Sequence, residues 1–600
     1  MVLVLSIMLA ASVLFIGGWL RPDLVALLVP IALSITGVIS WGEVFSGFTS
    51  SAVIVLLAAF VITETIRQTG LGEILSAFLV RITGHSERSL LFSISLSAAF
   101  LSLFMNNIAA AAVLMPAGIS AMRRVSASPK RLLLPMAFAT QLAGMATLLT
   151  TSNIVMSSIL RNHGLPAFGL LDFLPVGGPV AVVGLAVMIW LTPRLLPASS
   201  EMFLPPEEKG QFIPLAELYG LQGEFHMASV LPDSPLVGST LASSGLRKVL
   251  DINIVAIYRS SGQVIFTPGS KEQLAVHDRL LFTPSCPAAK LTALGLEAES
   301  GDDGQRERLM PKKVGLVEAI ITPRSSLAHK TLRQILFRQR YGLSVLAIWR
   351  NGQPIRQGIK ELPLQFGDAL LLQGTHARLN QLKTDHDLIV LGRKEDKQPP
   401  LGKSWVALVI IAAALACAAT QWLPVAETLF IGATLLILTR QITMDDAYEA
   451  IDWRSIVLVG GMLPAGAALN KTGAAHLMAR LLTDTLGRFG PFALLAGFCG
   501  LTVVLTQFIP GGAAIPLIIG PIAISAGLHV GADPRAFAMT VAIATSASFL
   551  TTFSHPVNLL VMGPGGYSGR DYVRLGFPLV VLTVILTLLL VPLIYPLYGF

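Results

Sequence analysis

The chain has 600 residues, 53% of them hydrophobic and only 13% charged, with a mean hydropathy of +0.69. A single water-soluble core is excluded, since soluble domains carry about 25% charged residues. The net charge of +8 does not argue for a nucleic-acid partner, because basic loop residues in a membrane protein follow from its orientation.

Val2 to Leu20 has no basic leader and runs straight into Arg21-Pro22-Asp23, so it reads as a first spanning helix rather than a removed signal. A helix in hydrocarbon satisfies its own backbone and needs about 20 apolar residues to cross. The pattern predicts spans over 2–20, 24–40, 52–66, 89–122, 132–160 and 174–193. A second series follows over 404–420, 424–439, 455–470, 490–525, 536–562 and 576–597. The stretches 89–122 and 490–525 are too long for one crossing; each holds a crossing plus a re-entrant hairpin, or a helix pair that never fully crosses. Of the 78 charged residues, 45 lie between 201 and 400, which marks a soluble insert. The expected domains are a membrane repeat over 1–200, two small soluble α+β domains over 201–300 and 301–398, and a second membrane repeat over 399–600. Cys286, Cys417 and Cys499 are isolated and indicate neither a disulfide framework nor a zinc site.

The outer thirds repeat each other. Phe104-Met105-Asn106-Asn107-Ile108-Ala109-Ala110, ending at Pro116, aligns with Ile509-Pro510-Gly511-Gly512-Ala513-Ala514, ending at Pro521. Thr150-Thr151-Ser152-Asn153 aligns with His555-Pro556-Val557-Asn558. The pairs Asn107/Gly512, Pro116/Pro521 and Asn153/Asn558 share an offset of 405, and Thr69-Gly70 matches Thr472-Gly473 at 403. One such pair arises by chance in apolar sequence; a common offset points to two copies of one unit. Lys and Arg are retained on the cytoplasmic side. With the N-terminus outside and five net crossings per half, Arg21, Arg67, Arg81, Arg88, Arg123, Arg124, Lys130, Arg131, Arg194, Lys403, Arg440, Arg454, Arg570 and Arg574 fall inside. Only Arg161, Lys471, Arg480, Arg488 and Arg535 fall outside. That split favours halves of opposite direction, both termini outside, a cytoplasmic insert and a multi-pass place in the plasma (inner) membrane.

Within the insert, Asn253-Ile254-Val255-Ala256-Ile257-Tyr258-Arg259 matches Ser344-Val345-Leu346-Ala347-Ile348-Trp349-Arg350, and His277-Asp278-Arg279-Leu280-Leu281 answers Gly367-Asp368-Ala369-Leu370-Leu371. Short β-branched runs between turn residues predict two strand-rich modules, joined by a polar linker from Glu299 to Gln305. The modules resemble the C-terminal domain of TrkA-type regulators of potassium conductance. That resemblance implies a small regulatory ligand and dimerisation; the alternative is a pair of dimerising spacers without a ligand. No Gly-x-Gly-x-x-Gly follows a strand, so no dinucleotide is expected.

A carrier of a charged solute must replace its hydration inside a low-dielectric slab, and broken helices do so with amides for anions and carbonyls for cations. Asn106-Asn107, Thr150-Thr151-Ser152-Asn153, Gly511-Gly512 and His555-Pro556-Val557-Asn558 are small or polar groups inside apolar stretches. Such groups either line a cavity or pair within the protein. At these motifs the membrane part resembles the divalent anion/sodium symporter family of the ion transporter superfamily, which also holds citrate and arsenite carriers. Asn106-Asn107-Ile108 is similar to the family's hairpin tip, Leu149-Thr150-Thr151-Ser152-Asn153 to its first unwound turn, and Ala547 to Asn558, followed by Gly563-Pro564-Gly565-Gly566-Tyr567, to its second. Arg21-Pro22-Asp23-Leu24 and the paired insert resemble the bacterial and algal sulfate-transporter-like branch.

The resemblance implies a polytopic α-helical membrane protein of two inverted repeats with re-entrant hairpins, working as a homodimer by an elevator motion. It implies no cofactor beyond a coupling sodium ion. Ser102, Asn106, Asn107, Leu149 and Thr150 match one sodium position and one side of the anion. Gly511, Gly512, Ala513, Ser554 and His555 match the second sodium region and the other side, and Thr151, Ser152, Asn153, Pro556 and Asn558 complete the substrate set. Two departures stand out: Gly511-Gly512 replaces asparagine or serine, and Leu149 replaces glycine. His555 carries a proton, bonds the substrate or packs beside Pro556. The expected activity is sodium- or proton-coupled uptake of a small dianion, sulfate before a dicarboxylate. A ligand-gated channel is the other class, and no Thr-Val-Gly-Tyr-Gly-like filter supports its potassium form. No nucleophile, base or metal cluster suggests an enzyme.

Overall fold

The computed structural model describes residues 1–17, 19–69, 86–125, 128–197, 401–509 and 512–598, and between them 226–241, 243–244, 246, 253–261, 264–266, 268–269, 271–283, 291–299, 314–322, 325–350, 353–356, 358–365, 367–382 and 387–391. The chain divides into two compact units, one made of Met1–Ser199 with Glu395–Phe600 and the other of Ser200–Lys394.

The first unit is helical. Its first part runs α1 (Val2–Gly17), α2 (Pro22–Ile35), α3 (Trp41–Val44), α4 (Ser51–Gln68), α5 (Glu87–Ser102), α6 (Asn107–Val125), α7 (Leu133–Gly144), α8 (Thr151–Asn162) and α9 (Leu174–Leu195). The starts follow local chemistry. Ser40 and Glu43 form a capping box, Ser50 and Ser86 cap α4 and α5, and Pro22 sits where its missing N–H costs nothing.

In the second unit, β1 (His226–Val230), β2 (Asn253–Tyr258), β3 (Val264–Phe266), β4 (Arg279–Thr283) and β5 (Leu296–Glu299) form an antiparallel sheet of order β3-β2-β4-β1-β5. Then β6 (Val314–Ile321), α10 (Phe337–Tyr341), β7 (Ser344–Arg350), β8 (Gln353–Ile355), β9 (Ala369–Thr375), α11 (His376–Gln381) and β10 (Leu388–Leu391) give a second sheet of order β10-β6-β9-β7-β8. Read from its other edge, this is the first order again. The register shifts between Ile254 and Ala256 recur between Val345 and Ala347. Arg259 pairs with Asp278 at 2.5 Å, as Arg350 does with Asp368 at 2.6 Å. The duplicated segments therefore fold alike. Glu299, expected in the linker, instead ends β5 opposite Met227; the rest of that linker lies outside the described residues.

The helical unit resumes with α12 (Leu401–Ala419), α13 (Val425–Leu438), α14 (Met444–Ala450), α15 (Trp453–Lys471), α16 (Ala474–Leu486), α17 (Pro491–Thr506), α18 (Ala514–His529), α19 (Pro534–Ser546), α20 (Pro556–Gly565) and α21 (Gly569–Ile594). Among the described residues, α4, α9 and α21 are long and apolar enough to cross a membrane. Helix α21 starts ahead of the predicted 576 because Ser568 and Asp571 form a capping box. The predicted spans 132–160 and 536–562 are each interrupted, at 145–150 and 547–555.

Contacts repeat on exchange of the two parts. Helix α5 packs on α7 as α17 packs on α19, and α4 packs on α13 as α15 packs on α2. Helix α8 lies on α19, and α20 on α7. Two ion pairs follow the same exchange: Lys130, ahead of α7, faces Asp571 at 3.7 Å, and Arg535, at the start of α19, faces Asp172, ahead of α9, at 3.0 Å.

Candidate functional site

Each part carries one interrupted helix whose break is held open by an asparagine. Helix α7 ends at Gly144 and α8 begins at Thr151, which leaves the last carbonyls of α7 without helical partners. Fully buried Asn153 supplies them: its Nδ2 donates to Thr147 O at 2.7 Å and Gly144 O at 3.4 Å, and its Oδ1 accepts from Ser152 Oγ at 3.3 Å. At the second break, fully buried Asn558 donates through Nδ2 to Ser548 O at 2.9 Å and Thr551 O at 3.0 Å. A glycine presses on each turn. A Cβ at Gly177 in α9 would collide with Met145 O, and one at Gly576 in α21 with Phe549 O.

The breaks also grip each other. Gln141 of α7 donates through Nε2 to Asn558 Oδ1 at 2.8 Å and accepts through Oε1 from Ser548 Oγ at 2.8 Å. Its equivalent at the 405 offset is Ser546, whose Oγ lies 3.3 Å from Ser152 Oγ. The two turns thus form one polar layer across the two parts.

Around the first turn, Ser102 at the end of α5 is fully buried, with Oγ 2.7 Å from Asn107 Oδ1 and 2.8 Å from Thr140 O. Asn106 turns its own Oδ1 onto Ile108 N–H at 2.8 Å, capping α6. Leu149 N–H donates to Thr147 Oγ1 at 3.3 Å. Thr150 precedes α8 in extended conformation, its side chain makes no cap, and its buried Oγ1 has no hydrogen-bond partner. Asn106, Leu149, Thr150 and Thr151 stay partly exposed.

Around the second turn, Gln507 stands where Ser102 stands in the first. Its Nε2 donates to Val503 O at 3.0 Å and Ala547 O at 2.9 Å, and its Oε1 accepts from Leu550 N–H at 3.1 Å. Ser554 Oγ lies 2.8 Å from Thr551 O and 3.0 Å from Ser548 O. His555 caps α20, its Nδ1 accepting Val557 N–H at 3.2 Å, and Pro556 takes the first helical position. Gly512 has φ +52, a left-handed conformation that suits glycine. Gly511 lies outside the described residues.

Sequence reasoning singled out neither Gln141 nor Gln507. Both are amides inside apolar runs, and each stands 405 residues from a small hydroxyl residue of the other part, Ser546 and Ser102. Neither break contains a charged residue: 103–106, 145–150 and 547–555 have no Asp, Glu, Lys or Arg.

The family model CitMHS, described as citrate transporter, matches residues 12–542. A transporter of Escherichia coli (strain K12), "Uncharacterized transporter YfbS", is 32% identical over 99% of both chains. "Sodium/sulfate cotransporter 2" of Chlamydomonas reinhardtii is 24% identical over 58% of this chain and 40% of that protein. Against the crystal structure of the YdaH transporter of Alcanivorax borkumensis the TM-score is 0.44 at 13% identity, over 92% of this chain and 86% of that one.

Proposed function

The chain belongs to the citrate transporter family CitMHS, a family of membrane transporters and not enzymes, and on that premise we propose that it is a secondary active carrier of a small divalent anion, sulfate first, coupled to a cation. The observation that carries the reading is the uncapped start of α8. The first-turn amides of a helix have no helical acceptor and lie at the positive end of its dipole, and Thr150 adds a buried hydroxyl without a partner. These are donors for an oxyanion. Beside them Ser102 Oγ, Asn107 Oδ1 and Thr140 O bring oxygens together.

Coupling follows from charge. A dianion entering breaks that hold no fixed positive residue would carry an uncompensated charge into a low-dielectric layer, at a cost of many kcal/mol. It must bring cations with it. Sodium is the cation supported by the relative named sodium/sulfate cotransporter, and sulfate is the anion its name supplies. A dicarboxylate, or the citrate of the family's name, is the second substrate reading.

The reciprocal contacts support two inverted repeats. A direct contact requires two groups at one membrane face, and the pairs Lys471–Glu43, Arg131–Glu87, Lys130–Asp571 and Arg535–Asp172 each join residues that the sequence-derived topology puts on one side. That agreement supports the relative sidedness of these loops.

The test is uptake of labelled sulfate by liposomes holding the purified chain, with sodium and proton gradients imposed separately. Saturable uptake driven by one gradient and poorly competed by succinate or citrate is expected. Uptake of succinate or citrate that sulfate fails to displace would overturn the sulfate assignment, and large unitary currents would overturn the carrier.

A further inference from the structure

The two breaks are equivalent in place and unequal in chemistry. At the first, oxygens outnumber hydrogens. Ser102 Oγ has one proton and two oxygen neighbours, Asn107 Oδ1 at 2.7 Å and Thr140 O at 2.8 Å, so one close oxygen pair has no hydrogen between its members. A Cβ at Gly144 would touch both Asn107 Oδ1 and the Thr150 methyl, so only glycine leaves room for the cluster at this end of α7. Surplus oxygen around a point is what replaces the hydration shell of a small cation.

At the second break the surplus is gone. Gln507 replaces Ser102 at the 405 offset, and Gly512 replaces Asn107 and removes its side-chain oxygen. The Gln507 Nε2 brings two hydrogens and spends both, on Val503 O at 3.0 Å and Ala547 O at 2.9 Å. Its Oε1 is held by Leu550 N–H at 3.1 Å, and its own carbonyl accepts from Thr551 Oγ1 at 3.0 Å. Gln507 is 5% exposed, so a cation would have to expel a buried, fully bonded amide to reach the Ala547 carbonyl.

We propose that Gln507 is a built-in plug: its amide nitrogen does permanently at the second break what a cation does at the first, so each chain binds one coupling cation and not two. This rests on the cation-coupled reading above and deepens it. Gln507 is a positioning residue, holding the second turn through Val503 O, Ala547 O and Leu550 N–H.

The experiment counts radiolabelled sodium bound at saturation to the full chain purified in detergent. One ion per chain is expected, falling to none in Ser102→Ala. Gln507→Glu keeps the shape and the acceptor for Leu550 N–H but turns the donor into an anionic ligand. Gln507→Ser with Gly512→Asn rebuilds the pair of the first break, and asparagine tolerates the left-handed backbone at a position whose Cβ would meet nothing within 4 Å. Both variants are expected to bind two. A wild-type count of zero or two overturns the plug, as does a count of one in both variants when their melting temperatures report folded protein. Sulfate uptake by the same preparations separates this from the transport reading. Uptake with a count of two removes the plug and leaves the carrier, whereas a count of one without any anion uptake keeps the plug and removes the carrier.

Discussion

At the first break the start of α8 is uncapped and Thr150 has a hydroxyl to give, whereas at the second His555 fills the cap of α20 and Gln507 fills the turn. Yet both breaks are braced alike, by Asn153 and Asn558 from within and by Gly177 and Gly576 from the neighbouring helix. The framework and the ligand chemistry therefore separate. What repeats at the 405 offset is what holds an unwound turn in place, and what differs is which polar atoms are left over.

If the bracing is shared, breaking it should damage both parts equally, and this is the largest effect expected. Gly177→Ala and Gly576→Ala each drive a methyl into a backbone carbonyl, which cannot swing away as a side chain could. Overpacking of this kind costs about 1–3 kcal/mol or more, and the turn moves with it. Both variants should lose sulfate uptake and melt several degrees lower; a tolerated alanine at either position would end the equivalence.

Next come the asparagines. Removing a buried amide strands its partners at about 1–3 kcal/mol for each unsatisfied group. Asn153→Ala strands the Thr147 carbonyl and weakens the contact with Gly144, within one part of the chain. Asn558→Ala leaves the Ser548 and Thr551 carbonyls to share the single hydroxyl hydrogen of Ser554, and strands the Nε2 of Gln141 from the other part. Asn558→Ala should therefore lower the melting temperature more, and equal losses would show that the bridge through Gln141 carries little.

These roles also mark how far the sequence could be read. The common offset located both breaks, the apolar runs gave the helical class, and the charge gathered between 201 and 400, with its repeated motifs, gave the insert and its duplication. The long stretches 89–122 and 490–525 each hold two helices, α5 and α6 in the first and α17 and α18 in the second. What stayed hidden is the division of labour among the polar residues. Asn153 reads as a ligand in a motif because its side chain is polar in an apolar place; only coordinates reveal that its amide is consumed by Thr147 O. Gln141 was invisible because its partners lie more than 400 residues away, at |i−j| = 407 and 417. Hydrophobic periodicity reports which face is buried, and says nothing about which distant carbonyl a buried amide will meet.

The threonines sharpen the difference between the breaks. Thr150 Oγ1 has no protein partner, so Thr150→Val removes nothing that the empty protein uses, while taking a donor from the anion. The KM for sulfate should rise about tenfold, equivalent to ~1.4 kcal/mol, with the melting temperature unchanged. Thr551 Oγ1 is spent on Gln507 O at 3.0 Å and accepts from Ser554 N–H at 3.2 Å, so Thr551→Val should do the reverse, lowering the melting temperature and leaving KM within about twofold. The same response in both would mean the first break is as self-contained as the second.

The smallest effect tests the cap that closes α20. His555 Nδ1 accepts Val557 N–H, a task that asparagine performs well at a helix start and alanine cannot. His555→Ala should cost about 1 kcal/mol and His555→Asn only a few tenths, read as a difference of a few degrees in thermal unfolding. Because α8 lacks such a cap, Thr150→Asn should move the other way: an added side-chain acceptor for the first-turn amides stabilises the empty protein while competing with the anion for the same donors. A rise in melting temperature paired with a weaker apparent affinity for sulfate is the signature of an open anion-binding end at the first break and a closed one at the second. A rise in melting temperature without loss of affinity would put the anion somewhere other than the start of α8.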